Sequence, residues 1–429
     1  MPAPLAKPDA TAERLAGINL PEGSAWASEA RKSALARLAA MGLPGRRDEY
    51  WKWTDPTTLV AEDVTPAALL KEAEAPLFVG VECIRLVFVD GVFDAALSDD
   101  PAAAGLEIDR LQEAQHRDIH WVRDIYAVLE TKGQKPVSRP LAAWNSAIAG
   151  DGVLIRATAR VARPVHIDYR RRDPAADAVL HHVIRVEAGA ELTVLESGAG
   201  AARFNQCMEV DVAAGGQFHH VRAQGRDHER RAVAHLFARV GAGALFKSFT
   251  LTANGRLTRN EAVIDITGEG AVAHIAGACV GDGDFHHDDT VYVTHDAVGC
   301  ESRQVFKNVL RHGATGVFQG KILVKQAAQK TDGYQISQAL LLDEASQFLA
   351  KPELEIYADD VKCSHGSTSG AIDETALFYL RSRGVPREEA AAMLVLSFVA
   401  DAIAEIEDPA LAADISDRLE AWLARRKGQ

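Results

Sequence analysis

Two carboxylates, a thiol and an imidazole lie within residues 359–365, near the end of this chain. Cys363 and His365 are two residues apart, so in a β-strand their side chains share one face. A thiolate beside an imidazole or a lysine is a better nucleophile and a better metal ligand than an isolated thiol. The candidate site residues are therefore Cys363, His365, Asp359 and Asp360. The alternative is a buried cysteine and a histidine in a turn.

Three pairs of adjacent histidines form a second set of metal-ligating side chains. Imidazoles suit iron, zinc or manganese. Adjacent residues of a strand face opposite sides, so only one histidine of each pair can point to a given surface. Stacked coils could still bring histidines of different pairs together, while hydrogen-bonded or solvent-facing histidines are the simpler alternative. The pairs are His181-His182, His219-His220 and His286-His287.

Motifs for nucleotide or nucleophile chemistry are missing from the sequence. The segment Gly316–Lys321 is one residue short of a P-loop and lacks its metal-binding hydroxyl. No G-x-G-x-x-G follows a predicted strand and opens a helix, and no G-x-S-x-G nucleophile elbow occurs. Any nucleotide chemistry is therefore expected to belong to another subunit.

A recurring glycine turn organises the segment that must position these side chains. Gly189, Gly215, Gly243 and Gly270 are separated by 26, 28 and 27 residues, and each precedes a short strand-like run. A fixed period of this size indicates a solenoid, in which each repeat is one coil that buries its apolar face against its neighbours. The spacing continues less regularly at Gly299, Gly316 and Ala345.

These patterns predict a mainly β protein built on a parallel β-helix, with helical segments before and after it. The predicted domains are residues 1–148, mainly helical; residues 149–368, the β-helix; and residues 369–429, helical. A coil of about 27 residues would hold two or three strands of about five residues. We expect the helical segments to cap both ends of the β-helix, because an open end exposes unpaired strand edges.

Composition narrows the classes of function. The chain has 429 residues and a net charge of −13, which disfavours nucleic-acid and anionic-membrane partners. It has no apolar window of membrane-spanning length and no signal-like N-terminus. Its odd number of scattered cysteines disfavours a disulfide framework or a structural zinc site. We therefore predict a cytoplasmic protein with reduced thiols. The cysteines are Cys83, Cys207, Cys279, Cys300 and Cys363.

Several segments carry a resemblance to a known family. Residues 354–370, Leu-Glu-Ile-Tyr-Ala-Asp-Asp-Val-Lys-Cys-Ser-His-Gly-Ser-Thr-Ser-Gly, together with residues 373–384, resemble the C-terminal signature of the SufB/SufD family. That family provides scaffold subunits of the SUF iron–sulfur assembly machinery. Residues 42–44 together with residues 47–54, which include two tryptophans, resemble its SufD branch. Residues 331–335 and 340–342 also resemble positions of the family. From residues alone this tryptophan segment is either an interaction surface or an anchor for a surface helix.

The resemblance implies a right-handed parallel β-helix between helical domains and a scaffold that is not itself an enzyme. It implies a complex with a SufB-like paralogue and with a SufC-like ABC ATPase, the latter bound through the C-terminal helices. His365 matches the histidine that matters for assembly at the SufB–SufD interface, so it is a possible transient metal ligand. A transient iron–sulfur cluster is implied there, and no stably bound cofactor. Cys363 falls in the same motif, although the principal sulfur-accepting cysteines belong to SufB.

The sequence is also compatible with a homodimer and with two other functions. The isolated chain could form a homodimer. A β-helical metalloenzyme that uses the paired histidines is the main alternative function, and it predicts stoichiometric metal and turnover without partners. A polysaccharide-processing β-helix enzyme is disfavoured by the missing secretion signal and by an aromatic content of 6%.

Overall fold

The computed structural model describes residues 9–69, 76–225 and 229–424. Its helices lie towards the two ends of the chain, on either side of a long run of strands. The α-helices are α1 (Asp9–Ala16), α2 (Ala25–Met41), α3 (Thr57–Val60), α4 (Leu111–Ala114), α5 (Val128–Lys132), α6 (Pro140–Ile148), α7 (Glu374–Ser382), α8 (Arg387–Ile403) and α9 (Pro409–Ala424).

The strands make up most of the regular structure between these helices. They are β1 (Ile84–Val89), β2 (Val92–Phe93), β3 (Leu106–Arg110), β4 (Val153–Ala157), β5 (Val165–Arg170), β6 (Asp177–Val186), β7 (Glu191–Gly198), β8 (Arg203–Val212), β9 (Gln217–Gln224), β10 (Arg231–Val240), β11 (Leu245–Ala253), β12 (Leu257–Ile266), β13 (Val272–Asp282), β14 (His286–His295), β15 (Glu301–Arg311), β16 (Thr315–Val324), β17 (Asp332–Leu341), β18 (Gln347–Ile356) and β19 (Lys362–Gly370).

From β4 onward the strands alternate between two parallel sheets. Odd-numbered strands from β5 to β19 follow one another in sheet A, and even-numbered strands from β4 to β18 follow one another in sheet B. Each coil gives one strand to each sheet, so the fold is a parallel β-solenoid of about 7 turns. The predicted fold class is confirmed, but most strands have 8–11 residues rather than about five. Two long strands replace several short ones, and the coil is flattened.

The glycine turn is confirmed as the corner of the solenoid. Five successive turn glycines adopt a positive φ of 59–70°, which glycine reaches without steric cost. Each turn donates a backbone N–H to the carbonyl of the next turn, so the corners form a hydrogen-bonded ladder. Gly316 departs from the prediction, because it lies inside β16 and the ladder continues through Lys330 (φ 60°). The five glycines are Gly189, Gly215, Gly243, Gly270 and Gly299.

The solenoid lumen holds the largest apolar cluster of the structure. Side chains from both sheets interdigitate there, and the rings of Phe306 and Phe318 approach to 5.0 Å between centroids. Burying each such side chain stabilises the fold by about 1.5–3 kcal/mol. Stacked coils thus supply the core that no single coil could form.

The N-terminal helices pack on the outer face of sheet B. Here the tryptophan segment contacts a buried ion pair, because Trp51 stacks 4.1 Å from the guanidinium of Arg259 and Thr54 donates a hydrogen bond to Asp288 at 2.5 Å. Arg259 also pairs with Asp288 and is 1% exposed. The segment therefore anchors the N-terminal part to the solenoid. Strands β1 and β3, which lie within residues 1–148, join sheets A and B.

The C-terminal helices pack on the outer face of sheet A. Val395 and Val399 of α8 join a buried cluster with Ala276 of β13 and Val305 of β15. The expectation that these helices cap the end of the solenoid is therefore wrong. An amphipathic helix needs a flat apolar face, which the side of sheet A provides and the end of a coil does not. Among the helices described, none is long and apolar enough to cross a lipid bilayer.

Candidate functional site

The last coil of the solenoid ends in two edge strands, β18 in sheet B and β19 in sheet A. β18 pairs with β16 and β19 pairs with β17, in both cases in parallel. Within the described ranges neither strand has a neighbour on its other side. The backbone groups on that side can pair with another chain. We call this end of the solenoid the β18–β19 edge.

The inner faces of these two strands differ in chemistry. On β18, Phe348 and Leu354 pack onto the buried clusters below them. On β19, the hydroxyl of Ser367 receives a hydrogen bond from Ser337 of β17 at 3.0 Å. Because side chains alternate along a strand, Cys363 and His365 lie on the same face as Ser367. The mouth of the lumen is therefore apolar on one side and carries a thiol, an imidazole and a hydroxyl on the other.

His365 is the more accessible of the two metal-ligating side chains in this row. Its side chain is exposed, and its Cα partner in the neighbouring strand is Gln335. It makes no hydrogen bond or ion pair with any other residue that the structure describes. Two residues along an extended strand span about 7 Å, so His365 and Cys363 are close without touching. A free imidazole at an open edge can accept a metal ion or a proton.

Cys363 lies deeper than His365. Its side chain is half-buried among Leu354, Val361 and the cluster around Ile322. A Cβ placed at Gly333 would lie 3.2 Å from its sulfur, so this glycine leaves the space that the thiol occupies. Burial raises the pKa of the Cys363 thiol above its ordinary value. The activation by neighbouring imidazole or lysine that the sequence suggested does not occur here, and the thiol is protonated at neutral pH.

Asp359 and Asp360 are exposed in the turn before β19. The carbonyl of Asp360 accepts the N–H of Lys330 at 2.5 Å, and its own N–H donates to Gln329 at 2.9 Å. The backbone of Asp360 thus closes the ladder of turns. Since β19 runs away from this turn, Asp360 and His365 are on the order of 15 Å apart. The two aspartates are therefore not close to His365 in space, although they are close to it in the sequence.

The paired histidines are divided between the two faces of their strands, as predicted. No group of three or more His, Cys, Asp or Glu side chains in residues 9–69, 76–225 and 229–424 is arranged to hold a metal ion. Burial lowers the pKa of His182 to about 4, so it is neutral at pH 7. Inside the lumen, His182 bonds Tyr169, His220 bonds Glu196 and His287 bonds Asp289; outside it, His181 bonds Glu209, His286 bonds Thr54 and His219 lies 3.7 Å from Glu407.

Sequence reasoning missed the polar side chains directly beneath the β18–β19 edge. Gln304, Gln335 and Ser337 all point into the lumen and are completely buried. The available signal was a polar residue at a strand position whose inward-facing neighbours are apolar. Buried polar groups normally have a hydrogen-bond partner, so such a residue indicates a specific contact. Their stacking under β19 depends on the register between coils, which the sequence does not state.

Comparison with known proteins agrees with this architecture. Residues 170–398 match a protein-family model described as the SufBD core domain of SUF-system FeS cluster assembly. This chain belongs to the SufB/SufD family. The matched residues run from the last residue of β5 into α8 and therefore include the whole β18–β19 edge. The family's role is iron–sulfur cluster assembly by the SUF system, and that is the role of this member.

Individual relatives of this SufB/SufD member cover most of its length. It is 28% identical over 414 residues to the iron–sulfur cluster assembly protein SufD of Escherichia coli, which covers 93% of each chain. It is 29% identical over 405 residues to a SufBD family iron–sulfur cluster assembly protein of Synechocystis, covering 88% of this chain and 86% of the other. A SufBD family protein of Mycobacterium tuberculosis is 28% identical over 300 residues, or 68% of this chain and 74% of the other.

Proposed function

We propose that this chain is a scaffold subunit without catalytic activity, which holds a nascent iron–sulfur cluster at the β18–β19 edge against a SufB-type partner. The observation that carries the proposal is the open last coil, where unpaired strand edges and an accessible imidazole coincide. The cluster is cargo in this scheme, built and passed on. A side chain that contacts it must therefore be reachable and must keep one ligating atom free of internal partners.

Strand edges favour a partner that adds strands. Main-chain hydrogen bonds give affinity in this mode of recognition, and side chains on alternate positions give specificity. Ile356 and Tyr357, at the end of β18, are 40% and 59% exposed, so apolar surface continues beyond the strand. A SufB-type solenoid end would cover both features. Without that partner, a second copy of this chain could bind the same edge and form a homodimer.

His365 is the residue we assign to the cargo. Imidazole nitrogen binds iron when neutral, and this ring faces the mouth of the lumen without an internal partner. Cys363 has the weaker case, because its protonated, half-buried thiol would have to lose a proton and move outward first. Asp359 and Asp360 are too distant to share a metal ion with His365, so we assign them to the turn that shapes the edge.

The C-terminal helices are the proposed contact for a SufC-type ATPase. Three large apolar side chains on α7 and α8 remain exposed: Phe378 by 70%, Tyr379 by 54% and Met393 by 51%. A cleft of about 880 Å³ lies between α8, α9 and the C-terminal ends of strands in sheet A. Acidic side chains line this cleft, namely Glu388, Glu389, Asp417 and Glu420. Their negative charge favours a partner surface with basic side chains. Because α8 packs on β13 and β15, a movement of the helices would act directly on sheet A.

The test is His365→Ala in cells that depend on this chain for cluster assembly. Cluster maturation in a reporter iron–sulfur enzyme is measured together with co-purification of the SufB-type and ATPase partners. Ser364→Ala, one residue away on the opposite face of β19, is the matched control. We expect His365→Ala to lower maturation while the complex stays intact and the control behaves as the wild type. Normal maturation in an intact His365→Ala complex would refute the assignment.

A further inference from the structure

Two buried amides form a short ladder beneath the β18–β19 edge. Gln304 of β15 and Gln335 of β17 are Cα partners, and the Nε2 of Gln335 donates to the Oε1 of Gln304 at 2.7 Å. Both side chains are 0% exposed. One atom of each amide, Nε2 of Gln304 and Oε1 of Gln335, has no hydrogen-bond partner in the part of the chain described. A buried acceptor without a donor is unusual in a native protein and calls for an explanation.

His365 is the residue that follows Gln335 in the next coil of sheet A. The two residues are Cα partners in the parallel pairing of β17 and β19, which places their Cα atoms about 4.8 Å apart. The inward-facing residue pairs of β17 and β19 on either side of this one are already in contact. Ser337 donates a hydrogen bond to Ser367 at 3.0 Å, and the sulfur of Cys363 fills the space above Gly333. Gln335 and His365 therefore occupy the same inward-facing position of successive coils, and their side chains leave their strands side by side.

The opposite sheet holds this amide in place. A Cβ at Gly320 of β16 would come within 2.4 Å of the Nε2 of Gln335, so the amide fills the space that this glycine leaves open. Gln335 is thus fixed from below by Gln304 and from across the lumen by sheet B. The imidazole above it, in contrast, is exposed on an edge strand and can rotate onto the amide.

We propose that Gln335 is a positioning residue for His365. Its free Oε1 accepts the N–H of one ring nitrogen, which fixes the neutral tautomer whose other nitrogen is left bare at the mouth of the lumen. Histidines that bind metal ions usually donate their second ring N–H to such an acceptor. This inference rests on the proposed function in one respect, namely that the bare nitrogen binds the iron of the cargo.

An amide suits a scaffold better than a carboxylate would. A carboxylate acceptor makes the imidazole more basic and strengthens its bond to a metal ion, whereas a neutral amide orients the ring without adding charge. A cluster that must be released favours the weaker arrangement. The ladder through Gln304 supplies the rigid support that an acceptor on the penultimate coil needs.

The tautomer of His365 can be observed directly. The full chain is labelled with ¹⁵N in its histidines, and two-bond ¹H–¹⁵N correlation spectra identify the tautomer of each ring at one fixed pH above 7. The signals of His365 are those lost in His365→Asn. The variants are Gln335→Leu, which removes the acceptor, and Gln335→Glu, which keeps one. Gln338→Leu changes the same residue type on the outward face of the same strand and serves as the control.

We expect one dominant tautomer of His365 in the wild type, in Gln335→Glu and in Gln338→Leu, and a mixed population in Gln335→Leu. If Gln335→Leu fails to fold by circular dichroism, Gln335→Met, which matches the length of glutamine, takes its place. An unchanged tautomer ratio without the Gln335 acceptor, or an equal change in Gln338→Leu, would overturn the inference. Failure of the proposed function is a separate result, because it shows as normal cluster maturation in His365→Ala whatever the tautomer.

Discussion

A buried histidine near the open end makes the stability of the solenoid depend on pH. His295 of β14 is 0% exposed and contacts the hydroxyl of Ser302 through Nε2 at 2.8 Å. Burial lowers its pKa from 6.5 to about 4. A proton therefore binds the unfolded chain more readily than the folded one. The stability that this neutral histidine contributes is complete above about pH 6.5 and is lost as the pH falls towards 4.

The size of the effect follows from the two pKa values. Their difference is worth about 3 kcal/mol when fully expressed, at 1.36 kcal/mol for each pKa unit. Between pH 7 and pH 5 the unfolded histidine gains its proton and the folded one does not, which costs about 2 kcal/mol. His295→Gln removes the titrating group and keeps a polar side chain beside Ser302. The variant should therefore lose about 2 kcal/mol less stability than the wild type over this interval.

Urea unfolding followed by tryptophan fluorescence at pH 7 and pH 5 measures this difference. His116, a histidine exposed on the surface, provides the control variant His116→Gln, which should follow the wild type. The comparison between variants removes the contributions of all other titrating groups. If His295→Gln lost as much stability as the wild type on acidification, the assignment of a neutral buried imidazole would be refuted.

Two further predictions concern the turn and the thiol. A Cβ at Gly268 would lie 1.9 Å from the backbone nitrogen of Ala242, so Gly268→Ala should lower the free energy of unfolding in urea by on the order of 2–4 kcal/mol. Gly150→Ala meets no atom within 4 Å and should change it by less than about 1 kcal/mol; equal losses would contradict this reading. Because burial raises the pKa of Cys363, iodoacetamide should alkylate it at pH 8 more slowly than free cysteine, as peptide mass spectrometry can show, and an equal or faster rate would count against the buried thiol.

The solenoid could be predicted from the sequence because its main determinant is local. A glycine with positive φ at each corner is required by the turn itself, so its period survives in the sequence at Gly189, Gly215, Gly243 and Gly270. The inward face of β19 was predictable for the same reason, since alternation along one strand places Cys363 and His365 together.

Contacts between coils could not be predicted in this way. Successive coils of sheet A place Cα partners 26 to 31 residues apart, and this variation decides which side chains stack. The position of Gln335 under His365 depends on one such spacing. Asp360 shows the opposite case. It is close to His365 in the sequence, but the extended strand between them places the two residues far apart in space. The apolar stripe of α8 indicated burial, but it did not indicate which face of the solenoid would cover it.

We propose that this scaffold meets its SufB-type partner and its cargo at the β18–β19 edge. Hydrogen–deuterium exchange of the full chain, alone and mixed with the SufB-type partner, tests it most directly. We predict that binding slows exchange most strongly in the backbone amides of residues 347–370. Protection confined to another part of the surface, with the amides of β18 and β19 exchanging as in the free chain, would contradict the account.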